Sequence, residues 1–295
     1  MNGRGVVCYD WMQALNDSKD RLHETRNLLR ETWSRAFQVN DLGQGEEAWD
    51  ALEVAFAGNH PKFEAIDAPY HDLDHTLKAS ACYVELAVKN LQTNDYQPLP
   101  LGIAELGLIA ILFHDSGYLK DKGDLSGTGA KYAFDHVGRS QAFAKMWLLE
   151  NGFDDDSILE IQSMIQCTDF SARTLPITFA SNSHRLAGHM VGTADLLGQM
   201  ASHDYIRKLP LLHQEMIEAL NHNQSAKIPV EIPQTPQELL KMTPDFFNNY
   251  VIPKLTNEYE NVFKLLNQPY PDGPNRYMRQ IQEHIDSINQ DSNKA

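Results

Sequence analysis

The chain has 295 residues, 42% of them hydrophobic and 22% charged, an ordinary globular composition with enough length for one large core or two modest ones. Its 25 basic side chains against 40 acidic ones leave a formal net charge of −15. That balance argues against a nucleic-acid polymer or an anionic membrane as partner. Small anionic substrates stay open, because a bound cation reverses the local field. Cys8, Cys82 and Cys167 are widely spaced and form no CxxC pair, which favours a reducing compartment over a disulfide framework. No secretory leader is visible, since the first apolar run, residues 5–8, leads straight into charged sequence. A cytoplasmic location is expected.

Taken in chain order, the dominant pattern is helical. Over residues 11–37 apolar side chains recur at three and four (Trp11, Leu15, Leu22, Leu28, Leu29, Trp33, Phe37), and residues 46–56 and 72–91 repeat the pattern. Residues 101–113 are apolar nearly all round, which reads as a central helix buried on most faces. The stretch is shorter than the roughly 20 residues of a membrane span and contains Glu105. Further helices are predicted at 135–151, 157–167, 184–209, 212–221, 236–241, 244–266 and 273–288. Loops fall at 92–100, at the glycine-rich 121–129, and at 226–235. Alternating β-branched runs are missing, so an all-α fold is predicted. The expected organisation is an N-terminal helical extension at 1–60 packed on one compact domain at 61–290, with a frayed tail at 291–295.

Several familiar signatures are absent. The segment His213-Gln214-Glu215 does not complete a His-Glu-x-x-His zinc motif, and Ser126-Gly127-Thr128-Gly129-Ala130-Lys131 lacks the ending of a phosphate loop. What remains is a set of histidines and aspartates on helices. Tyr70-His71-Asp72-Leu73-Asp74-His75 places two histidines one helical turn apart, on one face. Ile109 to Phe113 runs into an adjacent His114-Asp115 pair, and two strongly polar groups at the end of so apolar a helix need partners or a cation. Asp135-His136 opens an amphipathic helix. Asp195, in Thr193-Ala194-Asp195-Leu196, sits inside an apolar helical stretch where a lone carboxylate would be expensive. His184 and His189 lie five apart, off a common face, and read as structural.

The order His75, His114-Asp115, Asp195 resembles the HD-domain superfamily of metal-dependent phosphohydrolases. Within it the chain is closest to the cyclic-nucleotide phosphodiesterase catalytic domain. Tyr70-His71-x-x-x-His75 is similar to that family's Tyr-His-Asn-x-x-His, and Cys167-Thr168-Asp169-Phe170-Ser171 to its Ala-Thr-Asp-Met-Ser. Thr193-Ala194-Asp195-Leu196 is similar to its Cys-Ala-Asp-Leu, and Phe246 with Pro253 to its late Phe…Pro pattern. The likeness spans about residues 70–255. Three positions depart from it. Asp72 replaces an asparagine, Tyr118 stands where His-Asp-x-x-His has its second histidine, and Thr243 stands where a glutamine reads the purine. A single hydroxyl cannot reproduce the paired contact of an amide.

The resemblance implies a compact helical bundle of the HD-domain type, with His75, His114, Asp115 and Asp195 as ligands of a first divalent ion. Two imidazoles and two carboxylates suit Zn²⁺, Mn²⁺ or Fe²⁺. A second ion, Mg²⁺ or Mn²⁺, would share Asp115, with His136, Thr168 and Asp169 on it or on its waters. The implied reaction is hydrolysis of a small phosphoester by metal-activated hydroxide, with Asp115 on the ions and His71 as general acid. The partner of His71 stays open, Asp169 or another carboxylate. Tyr70, Thr243 and Phe246 would line the substrate site, and a phosphorylated small molecule, in the first place a nucleotide, would occupy it; a cyclic nucleotide phosphodiester is one candidate. The 121–129 loop follows the His-Asp pair and reads equally as a lid or as an ordinary surface loop. Two other readings use the same residues: an HD-type di-iron oxygenase, which needs more histidines on the second iron, and a non-catalytic nucleotide sensor, which has no use for a general acid.

Overall fold

The computed structural model describes residues 21–169, 177–223 and 232–292; Cys8, Trp11, Leu15 and Ser171 lie outside them. The described chain is all-α, with ten α-helices and no strand. They are α1 (Arg21–Phe37), α2 (Gln44–Phe56), α3 (Leu73–Asn90), α4 (Leu101–Phe113), α5 (His136–Glu150), α6 (Asp155–Gln166), α7 (Asn182–Met200), α8 (Tyr205–His222), α9 (Pro236–Phe246) and α10 (Arg276–Ser292).

The architecture follows from α4. A helix without a polar face has to be enclosed, and α2, α3, α6 and α7 all pack on it. Continued through a short 3₁₀ turn, Leu101–Tyr118 is the one described stretch with the length and mean hydropathy, 1.2, of a membrane span, and 72% of it is buried inside the fold. It is a core helix. The N-terminal helices belong to the same core: Leu29 and Trp33 of α1 and Trp49 and Leu52 of α2 are fully buried in it. Arg26 and Arg30 of α1 both bind Glu46 at the start of α2, with nitrogen–oxygen distances down to 2.6 Å and 2.5 Å.

Helix boundaries in the C-terminal half differ from the predicted ones. The predicted helix over 184–209 is broken at 201–204, where Ser202 donates to Asp204 and Lys78 of α3 reaches Asp204 at 2.8 Å. That tertiary anchor turns the chain. Pro210, which falls between the predicted helices 184–209 and 212–221, lies inside α8 at an exposed position. Likewise α9 runs through Pro244, and the predicted helix over 244–266 is replaced beyond Phe246 by π turns at Phe247–Val251 and Lys254–Glu258 and a 3₁₀ turn at Val262–Leu266. Pro253 offers no N–H to Asn249, and the ladder on both sides of it widens to i→i+5. The α10 helix starts at Arg276, capped by Asn275, whose Oδ1 accepts from the amides of Tyr277 and Met278 at 3.0 and 3.2 Å.

Among the described residues α3 and α7 share the most extensive helix–helix packing, and they carry His75 and Asp195. Gly198 permits the approach: a Cβ there would stand 2.9 Å from the backbone of Ala79. Ala79 is one turn from His75, and Gly198 one turn from Asp195, so this crossing sets the distance between those two side chains. A methyl group at Gly198 cannot be absorbed by a flexible neighbour, since it meets backbone. Gly198→Ala is therefore expected to lower stability by about 1–3 kcal/mol. Gly102→Ala, in the open first turn of α4 with nothing within 4 Å, should instead raise it by about 0.5–1 kcal/mol. Urea unfolding of the two variants checks the contrast, and equal effects would rule out the close crossing as the cause.

Candidate metal centre

Three helices and one turn supply the cluster. His75 lies in the first turn of α3, where the Asp72 side chain caps the helix by accepting from the His75 amide at 2.9 Å. His114 follows the last residue of α4, and Asp115 leads into the 3₁₀ turn Ser116–Tyr118. Asp195 comes from the middle of α7. Ser140 of α5 fastens this turn: its hydroxyl donates to the His114 carbonyl and accepts from the Gly117 amide at 2.8 Å. Gly117 has no side chain because a Cβ would meet the His136 carbonyl oxygen at 1.9 Å. The start of α5, and with it His136, is thereby pressed against the His-Asp turn.

Four donor atoms converge. His75 Nε2 is 3.1 Å from both Asp115 Oδ2 and Asp195 Oδ1, and His114 Nε2 is 3.2 and 3.4 Å from the same two oxygens. The two Nε2 atoms are 3.2 Å apart. Around one ion with bonds of ~2.1 Å, neighbouring ligand atoms stand about 3.0 Å apart in an octahedron and about 3.4 Å in a tetrahedron. The cluster has that spacing. His75, His114 and Asp195 form a group able to hold a metal ion, and Asp115 Oδ2 stands 3.1 and 3.2 Å from the two imidazole nitrogens of that group.

The chemistry of the donors fits a cation. His114 Nδ1 donates to the Ile111 carbonyl at 2.7 Å, so in the neutral ring the Nε2 lone pair faces the centre. His136 is fixed the same way by the Ala133 carbonyl at 2.7 Å, and its Nε2 lies 3.9 Å from Asp115 Oδ1. Burial lowers the His136 pKa and keeps that ring neutral. Asp115 Oδ2 is buried with no hydrogen-bond partner, although two imidazole nitrogens stand within 3.2 Å. They are near it but not aimed at it, as expected of ligands around a shared ion. Protons alone serve the group badly. Burial opposes charging His75, but Asp115 and Asp195 outweigh it and push its pKa up to about 9. His114 moves up for the same reasons, while the two carboxylates move down. Two charged imidazoles would then point Nε2 protons at each other across 3.2 Å.

His71 stands beside the cluster, and α8 holds it. Glu215 accepts from His71 Nδ1 at 2.5 Å and from the amides of Tyr70 and His71 at 2.7 and 3.1 Å. Burial opposes protonation of His71, but the Glu215 carboxylate overrides it and raises the pKa above 6.5. The carboxylate left open by the sequence is therefore Glu215. Asp169 instead accepts from Gln166 at 2.8 Å, at the end of α6. An acidic residue on the buried face of an amphipathic helix was the available signal, the same one that marked Asp195.

A family model described as Npun_R2479-like matches residues 122–267. No curated protein and no solved structure matches the chain. The matched stretch includes His136, Asp195 and Glu215 and leaves out His71, His75, His114 and Asp115.

The other predicted site residues fall around the centre or away from it. Tyr70 is buried, with its hydroxyl donating to Gln199 at 3.0 Å. Thr168 donates to the Ile165 carbonyl at 2.8 Å, a bond internal to the end of α6. Thr243 is buried in α9, donating to the Leu239 carbonyl at 3.1 Å. Phe246 stacks on Tyr250 with ring centroids 5.2 Å apart. The 121–129 loop is pinned: Glu218 accepts from the amide and hydroxyl of Thr128 at 2.5 and 2.8 Å, and Asp67 from the Gly129 amide at 2.8 Å.

If the cluster takes up an ion, folding and binding are linked. Ligand at 100 times its dissociation constant stabilises the folded state by about 2.7 kcal/mol. Thermal unfolding of metal-stripped protein should move to higher temperature on adding Mn²⁺ or Zn²⁺. The rise should vanish in His75→Ala and Asp195→Asn and persist in Thr168→Val. An equal rise in all four proteins would mean that the ions bind elsewhere.

Proposed function

We propose that this protein is a metal-dependent phosphohydrolase of the HD-domain type, acting in the cytoplasm on a small phosphoester, in the first place a nucleotide. One observation carries the reading: a four-donor His/Asp cluster lies beside a histidine whose Nδ1 is bound by a buried carboxylate. A sensor has no need of that second arrangement. An oxygenase would need several more imidazoles, and His136 is the one brought near Asp115 at 3.9 Å.

His75, His114, Asp115 and Asp195 would hold the first ion, Zn²⁺, Mn²⁺ or Fe²⁺; the second Asp115 oxygen and His136 offer a place for Mg²⁺ or Mn²⁺. A bound divalent ion supplies Lewis-acid charge to the phosphoryl oxygens and acidity to an attacking water. The protein's own residues do the rest. The side chains of His75, His114 and Asp115 are at most 4% exposed, whereas those of His71 and His136 are 16% exposed and that of Asp195 13%. Substrate therefore approaches on the side bounded by His71, His136 and Asp195. With Nδ1 bound to Glu215, His71 keeps Nε2 for the leaving oxygen and delivers a proton there. Glu215 stays an acceptor through its two backbone donors, so it orients the ring and stabilises its charged form. The Thr243 hydroxyl donates to the Leu239 carbonyl and hydrogen-bonds Tyr205 of α8, so a purine amide reader has no counterpart at that position.

The first test is hydrolysis of cyclic AMP, cyclic GMP, nucleotide mono- and triphosphates and bis-p-nitrophenyl phosphate by stripped protein refilled with each metal. Turnover should return with metal and be lost in Asp115→Ala; no turnover with any metal, despite stoichiometric binding, would overturn the reading. His71→Ala should keep metal binding and lower kcat by about 10²–10⁴-fold. The pH dependence has a definite sign. A general acid works while protonated, so the rate falls as pH rises through the His71 pKa, which Glu215 holds above 6.5. Glu215→Gln removes that support, and the alkaline limb of the kcat profile should move to lower pH. A limb that stays in place would remove Glu215 from the proton-transfer step.

A further inference from the structure

Tyr118 occupies the 3₁₀ turn directly after His114 and Asp115, and it is buried. Its ring makes two stacked contacts. The imidazole of His71 lies 4.5 Å from it, centroid to centroid, with 9° between the planes. The imidazole of His136 lies 4.8 Å away at 25°. The two imidazoles are 6.3 Å from each other. Rings stacked on opposite faces of a third would stand at least about 7 Å apart, twice a contact of ~3.5 Å. The shorter separation puts both on one face, side by side.

We propose that Tyr118 is a positioning residue whose single ring face is the platform holding the proton donor His71 and the second-ion residue His136 in one layer. The proposal rests on the hydrolase reading for the roles of the two histidines, not for the geometry. Each histidine reaches the layer from a different element, His71 from the segment before α3 and His136 from α5, and each is tethered through Nδ1 alone. One hydrogen bond leaves an imidazole free to swing about it. Contact over the whole ring plane removes that freedom, so the two Nε2 atoms keep their places relative to Asp115. The platform itself is clamped. The Tyr118 amide donates to the Asp115 carbonyl at 3.1 Å, and Arg139 of α5 donates to the carbonyls of Gly117 and Leu119 at 2.7 and 2.6 Å. Gly129 lies against the Tyr118 carbonyl so closely that a Cβ would meet its oxygen at 1.9 Å.

The stack requires an aromatic ring and no hydroxyl, which separates Tyr118→Phe from Tyr118→Leu. With ¹³C-labelled histidine in the zinc-loaded protein, and signals assigned through His71→Gln and His136→Gln, both imidazoles should show ring-proton resonances shifted upfield by the Tyr118 ring. Tyr118→Phe should keep both shifts and the wild-type kcat on bis-p-nitrophenyl phosphate. Tyr118→Leu should lose both shifts, with kcat falling on the order of 10²-fold and KM unchanged, as expected of misplaced reacting groups. Wild-type kcat in Tyr118→Leu, or a Tyr118→Phe as impaired as Tyr118→Leu, overturns the platform. Should Tyr118→Leu not fold, the spectra of wild type and Tyr118→Phe decide: both shifts in both proteins support it, and absence of either overturns it. Should wild type hydrolyse no phosphoester with any metal, the hydrolase reading fails, while the shifts still judge the platform.

Discussion

Two imidazole nitrogens 3.2 Å apart, each within 3.4 Å of the same two carboxylates in a buried setting, form an arrangement that the fold has to compensate. Carboxylates and imidazoles do not assemble this way through packing, because each has given up water and none has an apolar surface to bury. The apolar surroundings enforce the arrangement: α4 carries His114 and Asp115 to its end, and α3 and α7 close on α4 from two sides. Nearly every local choice around the cluster serves that convergence. Gly198 lets α3 and α7 approach, Gly117 lets α5 approach, and Ser140 ties α5 to the His-Asp turn.

Charge around the cluster is organised chiefly by α8. Near its start Lys208 reaches Asp72 at 3.2 Å and Asp74 at 3.0 Å, both at the N-terminus of α3. Lys78, one turn after His75, binds Asp74 at 2.7 Å and Asp204 at 2.8 Å. Two turns beyond Lys208, Glu215 takes hold of the segment before α3 through two amides and His71. Asp72 departs from the asparagine of the resembling family, and Lys208 gives that departure a physical setting: a carboxylate there both caps α3 and pairs with a cation across the crossing. The pairs of Lys78 and Lys208 with Asp74 and of Lys78 with Asp204, each partner at most 16% exposed, are screened less than surface pairs and resist displacement of α3 against α8.

Much of this was legible in the sequence. The all-round apolarity of 101–113 required an enclosed helix, and α2, α3, α5, α6 and α7 all pack on α4. His75, His114, Asp115 and Asp195 stood out because polar groups were embedded in apolar helical stretches, and burial makes such groups seek one another. Boundaries were less legible where the signal was a proline. Pro210 and Pro244 both sit inside helices, while the real break at 201–204 depends on Lys78 reaching across from α3. A proline removes one hydrogen bond, and whether that ends a helix depends on what the freed carbonyl meets, which is a tertiary matter.

By itself, then, the sequence determined the helical class, the central helix and the identity of four converging donors, because periodicity and the desolvation of polar groups act locally along the chain. Only the tertiary structure decided which carboxylate holds His71 and that Tyr118 stacks with both His71 and His136. Those outcomes rest on contacts between residues 18 to 145 positions apart in the chain, such as the one from Glu215 back to the Tyr70 amide. Distances of that kind follow from how closely helices cross, and no residue pattern read along one helix contains them.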